Sequence, residues 1–233
     1  MKRVLIKLSG ELLARGGEDI LNPSALKALA QEILALKAEI PEIVLVIGAG
    51  NILRGRLMEE QGMDRVRGDY MGMLATIMNA IAMQDALEQA GAKADVLTSF
   101  FVPEIGELYS KHRANQLLEA GHIVICAGGT GNPYFSTDTA GALRSIELGC
   151  ELYVKGTKVD GIFDKDPEKH SDAVRLPHVT FEEILIKGLR IMDQAAFALC
   201  KEHGMRLKVA NMSEISQIKT AVLDDRVGSL ITT

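Results

Sequence analysis

The sequence has no tryptophan, only three cysteines and no long apolar run. A helix that crosses a membrane needs about 20 consecutive apolar residues, so we expect a soluble protein without a membrane anchor. Cys126, Cys150 and Cys200 are odd in number, have no paired spacing and have apolar neighbours. This pattern is typical of reduced core cysteines and predicts a cytoplasmic protein. Lys7 interrupts the apolar stretch after the N-terminus, which predicts a strand there and no secretory signal.

Positive charge is not in excess, because the formal net charge is -5. A nucleic-acid-binding module normally presents a basic face, so that function is disfavoured. The five histidines are dispersed, without the ligand spacing of a zinc site, and we predict no metal held by the protein's own side chains. The dipeptide Gly-Lys is absent. Since a P-loop requires it, that mode of phosphate binding is excluded.

Short apolar runs alternate with helical patterns along the 233 residues. Strands are predicted at residues 3–8, 43–47, 95–98, 123–126, 150–154 and 206–210, and helices at 22–36, 71–90, 111–120 and 138–148. In the longest helix, Met78 and Met83 follow the apolar spacing and are expected to fill the core. The alternation predicts an α/β protein whose mostly parallel central sheet is covered by helices on both faces, in three α/β/α layers.

No linker, repeat or low-complexity segment interrupts the sequence. We therefore predict a single domain over residues 1–233. Its N-terminal lobe is expected to extend to about residue 150 and to hold the acceptor, and its C-terminal lobe to hold the phosphate donor.

Small or glycine-rich loops follow four of the predicted strands. They comprise KLSG from Lys7, GAGN from Gly48 with Arg54 close behind, AGGTGNP from Ala127, and KGTKVDG from Lys155. The carboxyl ends of parallel strands meet at one edge of a sheet, where ligands bind. Glycines let backbone N–H groups approach an anion, and lysines add positive charge. The loops together predict a phosphate-binding site.

A dinucleotide-binding fold is one alternative, because Gly48-x-Gly50 follows a strand and Asp69 lies about 20 residues later. That fingerprint needs a third glycine where this sequence has Leu53. It also needs its acid at the end of a strand, whereas Asp69 is expected to precede a long helix. The alternative is therefore disfavoured.

The chain resembles the bacterial uridylate kinases of the amino-acid kinase family over nearly its whole length. The motifs that carry the resemblance are KLSGE at 7–11, GAGNILRG at 48–55, GDYMGMLAT at 68–76, TGNPYFSTD at 130–138 and KGTKVDGIF at 155–163. The third and fourth are particular to the uridylate branch. The resemblance implies transfer of the γ-phosphoryl group of ATP to UMP, which forms UDP for pyrimidine nucleotide biosynthesis. It also implies Mg²⁺ carried with ATP, a homohexamer and inhibition by UTP.

The resemblance implies roles for individual residues. ATP binding falls to Lys7, Leu8, Ser9, Gly10, Gly50, Arg54, Thr157, Phe163 and Asp166. UMP binding falls to Ala49, Asp69, Thr130, Gly131, Asn132, Pro133, Tyr134, Phe135, Ser136 and Thr137. The implied catalytic residues are Lys7, Lys155, Asp138 and Arg54.

The chemistry agrees with these roles, because phosphoryl transfer needs alignment and neutralisation of charge. Lys7 and Lys155 can supply that charge. The acceptor phosphate is already ionised near neutral pH, so we interpret Asp138 as an organiser of the lysines and not as a base. Asp193 is expected to support the same network. A purely structural role stays open for Asp69 and Asp138, since a carboxylate near a helix start can cap it.

The sequence departs from the family at Ala49, where a middle glycine is usual, and at residues 15–22, which lack the Gly-Phe-Gly-Ile-Asp pattern of members activated by GTP. Backbone binding at Ala49 survives the methyl group if φ is negative, and activation by GTP is not expected. Two other functions stay open. One is a kinase that acts on a carboxylate such as acetylglutamate or carbamate, which the two uridylate motifs disfavour. The other is a nucleotide sensor that performs no turnover, which Lys7 and Lys155 disfavour because a sensor needs no positive charge between two phosphates.

Overall fold

The structure is a computed structural model that describes residues 1–14, 19–53, 62–165, 167, 169–170 and 172–233. Its strands are β1 (Arg3–Leu8), β2 (Glu42–Ile47), β3 (Ala94–Thr98), β4 (Glu107–Leu108), β5 (Ile123–Ala127), β6 (Leu152–Thr157), β7 (Ile162–Phe163), β8 (Arg175–Leu176), β9 (His178–Thr180), β10 (Leu207–Asn211) and β11 (Ser229–Thr232). Its α-helices are α1 (Glu11–Ala14), α2 (Pro23–Lys37), α3 (Arg65–Gln89), α4 (Lys111–Glu119), α5 (Thr137–Glu147), α6 (Phe181–Ile186), α7 (Gln194–Glu202) and α8 (Ile218–Leu223).

Nine strands form one sheet in the order β4-β3-β5-β2-β1-β6-β10-β11-β9. All neighbouring pairs are parallel except β10 and β11, which are antiparallel. The prediction of a mostly parallel sheet is confirmed. The sheet continues across residue 150, because β1 pairs with β6.

Alternate side chains of each strand point to opposite faces of the sheet, and each face packs against its own helices. In β1, Ile6 belongs to the core formed with α2, α3 and α8, whereas Leu5 belongs to the core formed with α4, α5 and α7. The predicted three layers are therefore present. By the same alternation, Lys7 lies on the face of Leu5 and Lys155 on the face of Tyr153, which packs in the same core as Leu5. Both lysines thus point toward the layer that contains α5.

Short polar side chains cap the N-termini of the longer helices. Asn22 accepts a hydrogen bond from the backbone N–H of Ala25 and stands directly before Pro23, as the sequence predicts. In α3 the cap is Asp64, and the helix begins at Arg65, six residues before the predicted start. Asp69 therefore lies inside this helix and not ahead of it. The prediction failed because the polar first turns carry no apolar periodicity.

The longest helix, α3, is apolar on two sides. Met83 is fully buried as predicted, but Met78 is 50% exposed, so the prediction that Met78 fills the core is wrong. Leu74 and Ile81 share its exposed face. Although α3 spans 25 residues, no helix in the described part of the chain is both long and apolar enough to cross a membrane.

Candidate active site

The carboxyl ends of β5, β2, β1 and β6 lie side by side in the sheet. Each is followed by one of the glycine-rich or lysine-bearing loops that the sequence singles out. The loops after β1 and β2 are joined directly, since the N–H of Gly48 donates to the carbonyl of Leu8 at 2.9 Å. A Cβ added to Gly48 would lie 3.6 Å from Oγ1 of Thr137, the first residue of α5. The loops therefore form one site.

Lys7, Asp138 and Lys155 form a partly buried charge cluster at the centre of this edge. The two lysines are register partners in β1 and β6. Asp138, in the first turn of α5, places Oδ1 3.1 Å from Nζ of Lys7 and Oδ2 2.6 Å from Nζ of Lys155. Nζ of Lys155 also donates to the carbonyl of Ile191 at 2.6 Å. The carboxylate thus sets the separation of two ammonium groups.

The ionisation of Asp138 follows from these neighbours. Burial alone would raise the pKa of the carboxyl, but the ammonium groups of Lys7 and Lys155 outweigh burial and hold the pKa below its ordinary value. Asp138 is therefore a carboxylate at neutral pH. A group that holds its charge so firmly is suited to orienting lysines and poorly suited to accepting a proton.

The start of α5 is fixed by Ser136 and Asp193. The hydroxyl of Ser136 accepts hydrogen bonds from the backbone N–H groups of Asp138 and Thr139, so the helix cap is Ser136 and not Asp138. Asp193 accepts from the hydroxyls of Ser136 and Thr139, and it caps α7 by accepting from the N–H of Ala196. Asp193 therefore holds the starts of two helices together and contacts the charge cluster through Ser136.

Two cavities meet at Thr157, the last residue of β6, and both lysines of the charge cluster line the first of them. The first measures about 600 Å³ and is lined by Lys7, Ser9, Glu11, Leu12, Lys155, Gly156, Thr157, Lys158, Met212 and Ser213. The second measures about 420 Å³ and is lined by Thr157, Val159, Gly161, Ile162, Phe163, Lys165, Pro167, Gly188, Leu189, Arg190, Ile191 and Val209. Of the residues predicted to bind ATP, Ser9 lines the first cavity, Phe163 the second and Thr157 both. Arg54 and Asp166 lie outside the described residues.

Three further predicted ATP residues lie in β1 and in the loops after β1 and β2. Leu8 has a fully buried side chain, so only its backbone faces the site. Gly10 is enclosed, because an added Cβ would lie 2.3 Å from the carbonyl oxygen of Gly48. Gly50 is more open, and its nearest neighbour for an added Cβ is the Glu11 side chain at 3.8 Å. Gly10 is thus required for the close approach of two loops.

Asp69 connects α3 to the loop predicted to bind UMP. Its carboxylate accepts from the N–H of Tyr134 at 2.7 Å and from Nε of Arg65 at 2.9 Å. Tyr134 has a backbone φ of 71°. Residues other than glycine rarely adopt this conformation, so the surrounding contacts must stabilise it. The guanidinium of Arg65 lies 5.7 Å from the Tyr134 ring centroid. Since Asp64 caps the helix, Asp69 has no capping role.

The rest of the loop leads from the end of β5 to the start of α5. Asn132, Tyr134, Phe135 and Ser136 are exposed, and Thr130, Gly131, Pro133 and Thr137 are half-buried. Gly131 has a φ of 80°, and an added Cβ would lie 3.0 Å from the carbonyl oxygen of Ser99. Among the described residues, Tyr134 is the only non-glycine with positive φ. Ala49 therefore has a negative φ, and its methyl group leaves the backbone of that loop unstrained.

Sequence reasoning missed two buried polar residues of α3, Thr76 and Asn79, which hydrogen-bond to the loops after β5 and β2. Polar side chains three residues apart on the apolar face of a helix are the signal that could have found them. The sequence also holds no signal for the backbone carbonyl of Ile191, which accepts a hydrogen bond from Lys155.

Comparisons with known proteins agree with this geometry. The sequence profile of the amino acid kinase family matches residues 2–211. A uridylate kinase of Xanthomonas campestris pv. campestris is 46% identical over 230 residues, which are 99% of this chain and 96% of that protein. A uridylate kinase of Legionella pneumophila is 43% identical over 230 residues, 99% of this chain and 94% of that protein. The crystal structure of UMP kinase from Bacillus anthracis superposes with a TM-score of 0.93 at 35% identity, covering 99% of this chain and 96% of that one.

The chain belongs to the amino acid kinase family. Within that family, these relatives are uridylate kinases that match it over nearly its full length, which confirms the resemblance predicted from the five motifs. The superposition with the UMP kinase structure also confirms the predicted fold class.

Proposed function

We propose that the protein transfers the γ-phosphoryl group of ATP to UMP and forms UDP for pyrimidine nucleotide biosynthesis. The charge cluster of Lys7, Asp138 and Lys155 carries this proposal, because its lysines line the larger of the two cavities and Asp138 directly follows the loop that Asp69 holds. The relatives named uridylate kinase support UMP as the acceptor.

In the proposed mechanism the protein aligns two phosphates and neutralises their charge. Lys7 and Lys155 contact the phosphate oxygens between donor and acceptor, and Asp138 keeps the ammonium groups in place. The backbone N–H groups around Ser9 and Gly10 face the donor phosphates. The phosphate of UMP attacks as an anion, so no side chain needs to remove a proton.

Mg²⁺ is proposed to enter with ATP, and it would neutralise part of the charge on the phosphates. In the described ranges of the chain, no group of three or more His, Cys, Asp or Glu side chains is placed to hold a metal ion. We propose the nucleotide phosphates as its main ligands, as is usual for Mg²⁺ in phosphoryl transfer.

The proposal is tested by a coupled assay of the purified protein with ATP and Mg²⁺, with UMP, CMP or acetylglutamate as the acceptor. Turnover with UMP, and much less with CMP, is the expected result. Phosphorylation of acetylglutamate without that of UMP would identify a different kinase. Binding of UMP without turnover would identify a nucleotide sensor.

Asp69 is proposed to bind the ribose of UMP. We expect Asp69→Asn to raise the KM for UMP about tenfold to a hundredfold, because hydrogen bonds to a charged group contribute about 1.5–3 kcal/mol. The KM for ATP should change little. Initial rates at varied UMP and saturating ATP measure the effect. Asp85→Asn is the matched control, since Asp85 is an exposed carboxylate elsewhere on α3. Equal KM values for UMP in both variants would contradict the role of Asp69.

The protein is proposed to assemble as a homohexamer. The outward face of α3 supports this proposal with apolar side chains spaced three or four residues apart, each 40–50% exposed: Met71, Leu74, Met78 and Ile81. A continuous apolar face of this kind is typical of a contact between subunits. It also accounts for the failed prediction that Met78 fills the core of one chain.

Charge on this face should break the assembly. Met78→Glu is expected to shift the protein from hexamer to smaller species, because a carboxylate would be buried without a partner. Size-exclusion chromatography with light scattering measures the mass. Glu119→Lys, which changes charge on the exposed side of α4, should leave the mass unchanged. A Met78→Glu protein of wild-type mass would exclude this face as a subunit contact.

A cytoplasmic location is proposed for the protein. It is supported by Cys126, Cys150 and Cys200, which are free and buried. Burial raises the pKa of each thiol to about 12, so the thiols behave as small core side chains.

UTP, which has the same base and ribose as UMP, is proposed to inhibit by competing at the acceptor site.

A further inference from the structure

The inner face of α3 carries two polar side chains that the proposed mechanism does not use. Thr76 is 5% exposed and Asn79 is fully buried. A buried polar group lowers stability unless it finds hydrogen-bond partners. Both residues find partners in the loops at the sheet edge, and Thr76 finds a second partner in its own helix.

Thr76 holds the beginning of the loop after β5. Its hydroxyl donates to the carbonyl of Met73 at 2.7 Å and accepts from the N–H of Gly128 at 2.9 Å. Gly128 follows the last residue of β5 and has a φ of 80°. Thr76 therefore fixes the point at which the chain leaves the sheet toward residues 130–137, the loop proposed to bind UMP.

Asn79 holds the loop after β2. Its Nδ2 donates to the carbonyl of Gly48 at 2.7 Å and to Oδ1 of Asn51 at 2.8 Å. Asn51 in turn donates from Nδ2 to Oδ1 of Asn79 at 3.0 Å and to the carbonyl of Ile20 at 2.8 Å. Every N–H of the two amides has a partner, so the pair has a single orientation.

The turn after β1 packs against the same amide. A Cβ added to Gly10 would lie 2.9 Å from Nδ2 of Asn79, 2.3 Å from Oδ1 of Asn51 and 2.3 Å from the carbonyl oxygen of Gly48. Asn79 therefore stands where the loop on the donor side meets a loop on the acceptor side. Its amide sets how closely they approach.

We propose that Thr76 and Asn79 are positioning residues for phosphoryl transfer. Thr76 positions the acceptor loop through Gly128, and Asn79 positions the loops after β1 and β2 relative to each other. The inference rests on the proposed function, because it takes those loops to bind the two nucleotides. Through these two residues, α3 would align the phosphate donor with the acceptor.

The Thr76 arm compares Thr76→Val, which keeps the shape and loses the hydroxyl, with Thr76→Ser, which keeps the hydroxyl. Calorimetric titration with UMP should show about tenfold weaker binding for Thr76→Val, as for the loss of one hydrogen bond, and wild-type binding for Thr76→Ser. ATP binding should be the same in both. Equal UMP affinity in the two variants, or an equal loss of ATP affinity, would overturn the assignment.

The Asn79 arm measures kcat separately from KM. Asn79→Ala should lower kcat about a hundredfold, the effect of a misalignment of about 1 Å, while both KM values stay within about threefold. Met83→Ala is the matched control, because Met83 is a buried core residue of α3 and its loss should lower the melting temperature without changing kcat. If Asn79→Ala, assayed below its melting temperature, also retains kcat, Asn79 is only structural and the proposal fails.

The activity of the wild-type protein distinguishes failure of the proposed function from failure of the positioning roles. Failure to phosphorylate UMP would refute the proposed function itself. An active wild type in which Thr76→Val matches Thr76→Ser and Asn79→Ala retains kcat would refute only the positioning roles.

Discussion

Replacement of Lys7 by alanine is expected to lower kcat with ATP, Mg²⁺ and UMP about a thousandfold, the effect of removing a preorganised donor from a transition state that carries negative charge. Lys7 is only 14% exposed and Asp138 holds its ammonium group, so no mobile surface cation can replace it. The KM for UMP should change much less, because Asp69 and residues 130–137 are proposed to bind the nucleoside. Initial rates at saturating substrates measure kcat.

Lys37→Ala is the matched control for this variant. Lys37 is the last residue of α2, and its ammonium group donates to the carbonyl of Pro41. Pro41 directly precedes β2, so Lys37 lies at the amino ends of the strands, away from the candidate active site at their carboxyl ends. It should retain wild-type kcat. If Lys7→Ala turned over UMP at the wild-type rate, the lysine would have no role in the transfer.

Replacement of Asp138 by asparagine is expected to lower the free energy of unfolding at neutral pH by about 3 kcal/mol, because it leaves two partly buried ammonium groups facing each other without a carboxylate. It should also lower kcat, since Lys7 and Lys155 lose the group that orients them. Thermal or denaturant unfolding of both proteins measures the difference.

The stability difference should depend on pH in one direction. The pKa of Asp138 is depressed in the folded protein, so its contribution is complete above the ordinary carboxyl pKa and is lost as pH falls through the folded value. Wild type and Asp138→Asn should therefore differ most at neutral pH and converge on acidification. Asp85→Asn, on an exposed carboxylate, should match wild type throughout. A difference that grew as pH fell would contradict the depressed pKa.

Much of the fold follows from local patterns. The apolar runs of β1 and β2 and the Asn22-Pro23 helix start are visible in the sequence, because burial of a parallel strand and the capping of a helix depend on neighbouring residues. The start of α3 is not visible in this way, since its first turns are polar. The exposure of Met78 could not be predicted either, because helical periodicity does not show which apolar side faces the core of the same chain.

The loops that meet at the candidate site were visible in the sequence, because glycine, lysine and small polar residues follow the strands whose carboxyl ends share one edge of the sheet. Asp193 was expected to support the network, but its connection through Ser136 to the start of α5 depends on the packing of two helices. Thr76 and Asn79 look like ordinary helix residues until the loops they hold are known.

The sequence by itself determined that the protein is a parallel α/β protein with glycine-rich and lysine-bearing loops after its strands, and the uridylate motifs in it predicted UMP as the acceptor. Only the tertiary structure decided that Lys7 and Lys155 share one face of the sheet with Asp138 between them, and that α3 holds the loops in place. The physical reason is that strand order and helix packing bring together residues as far apart in the chain as Lys7 and Lys155, and such contacts leave no local pattern in the sequence.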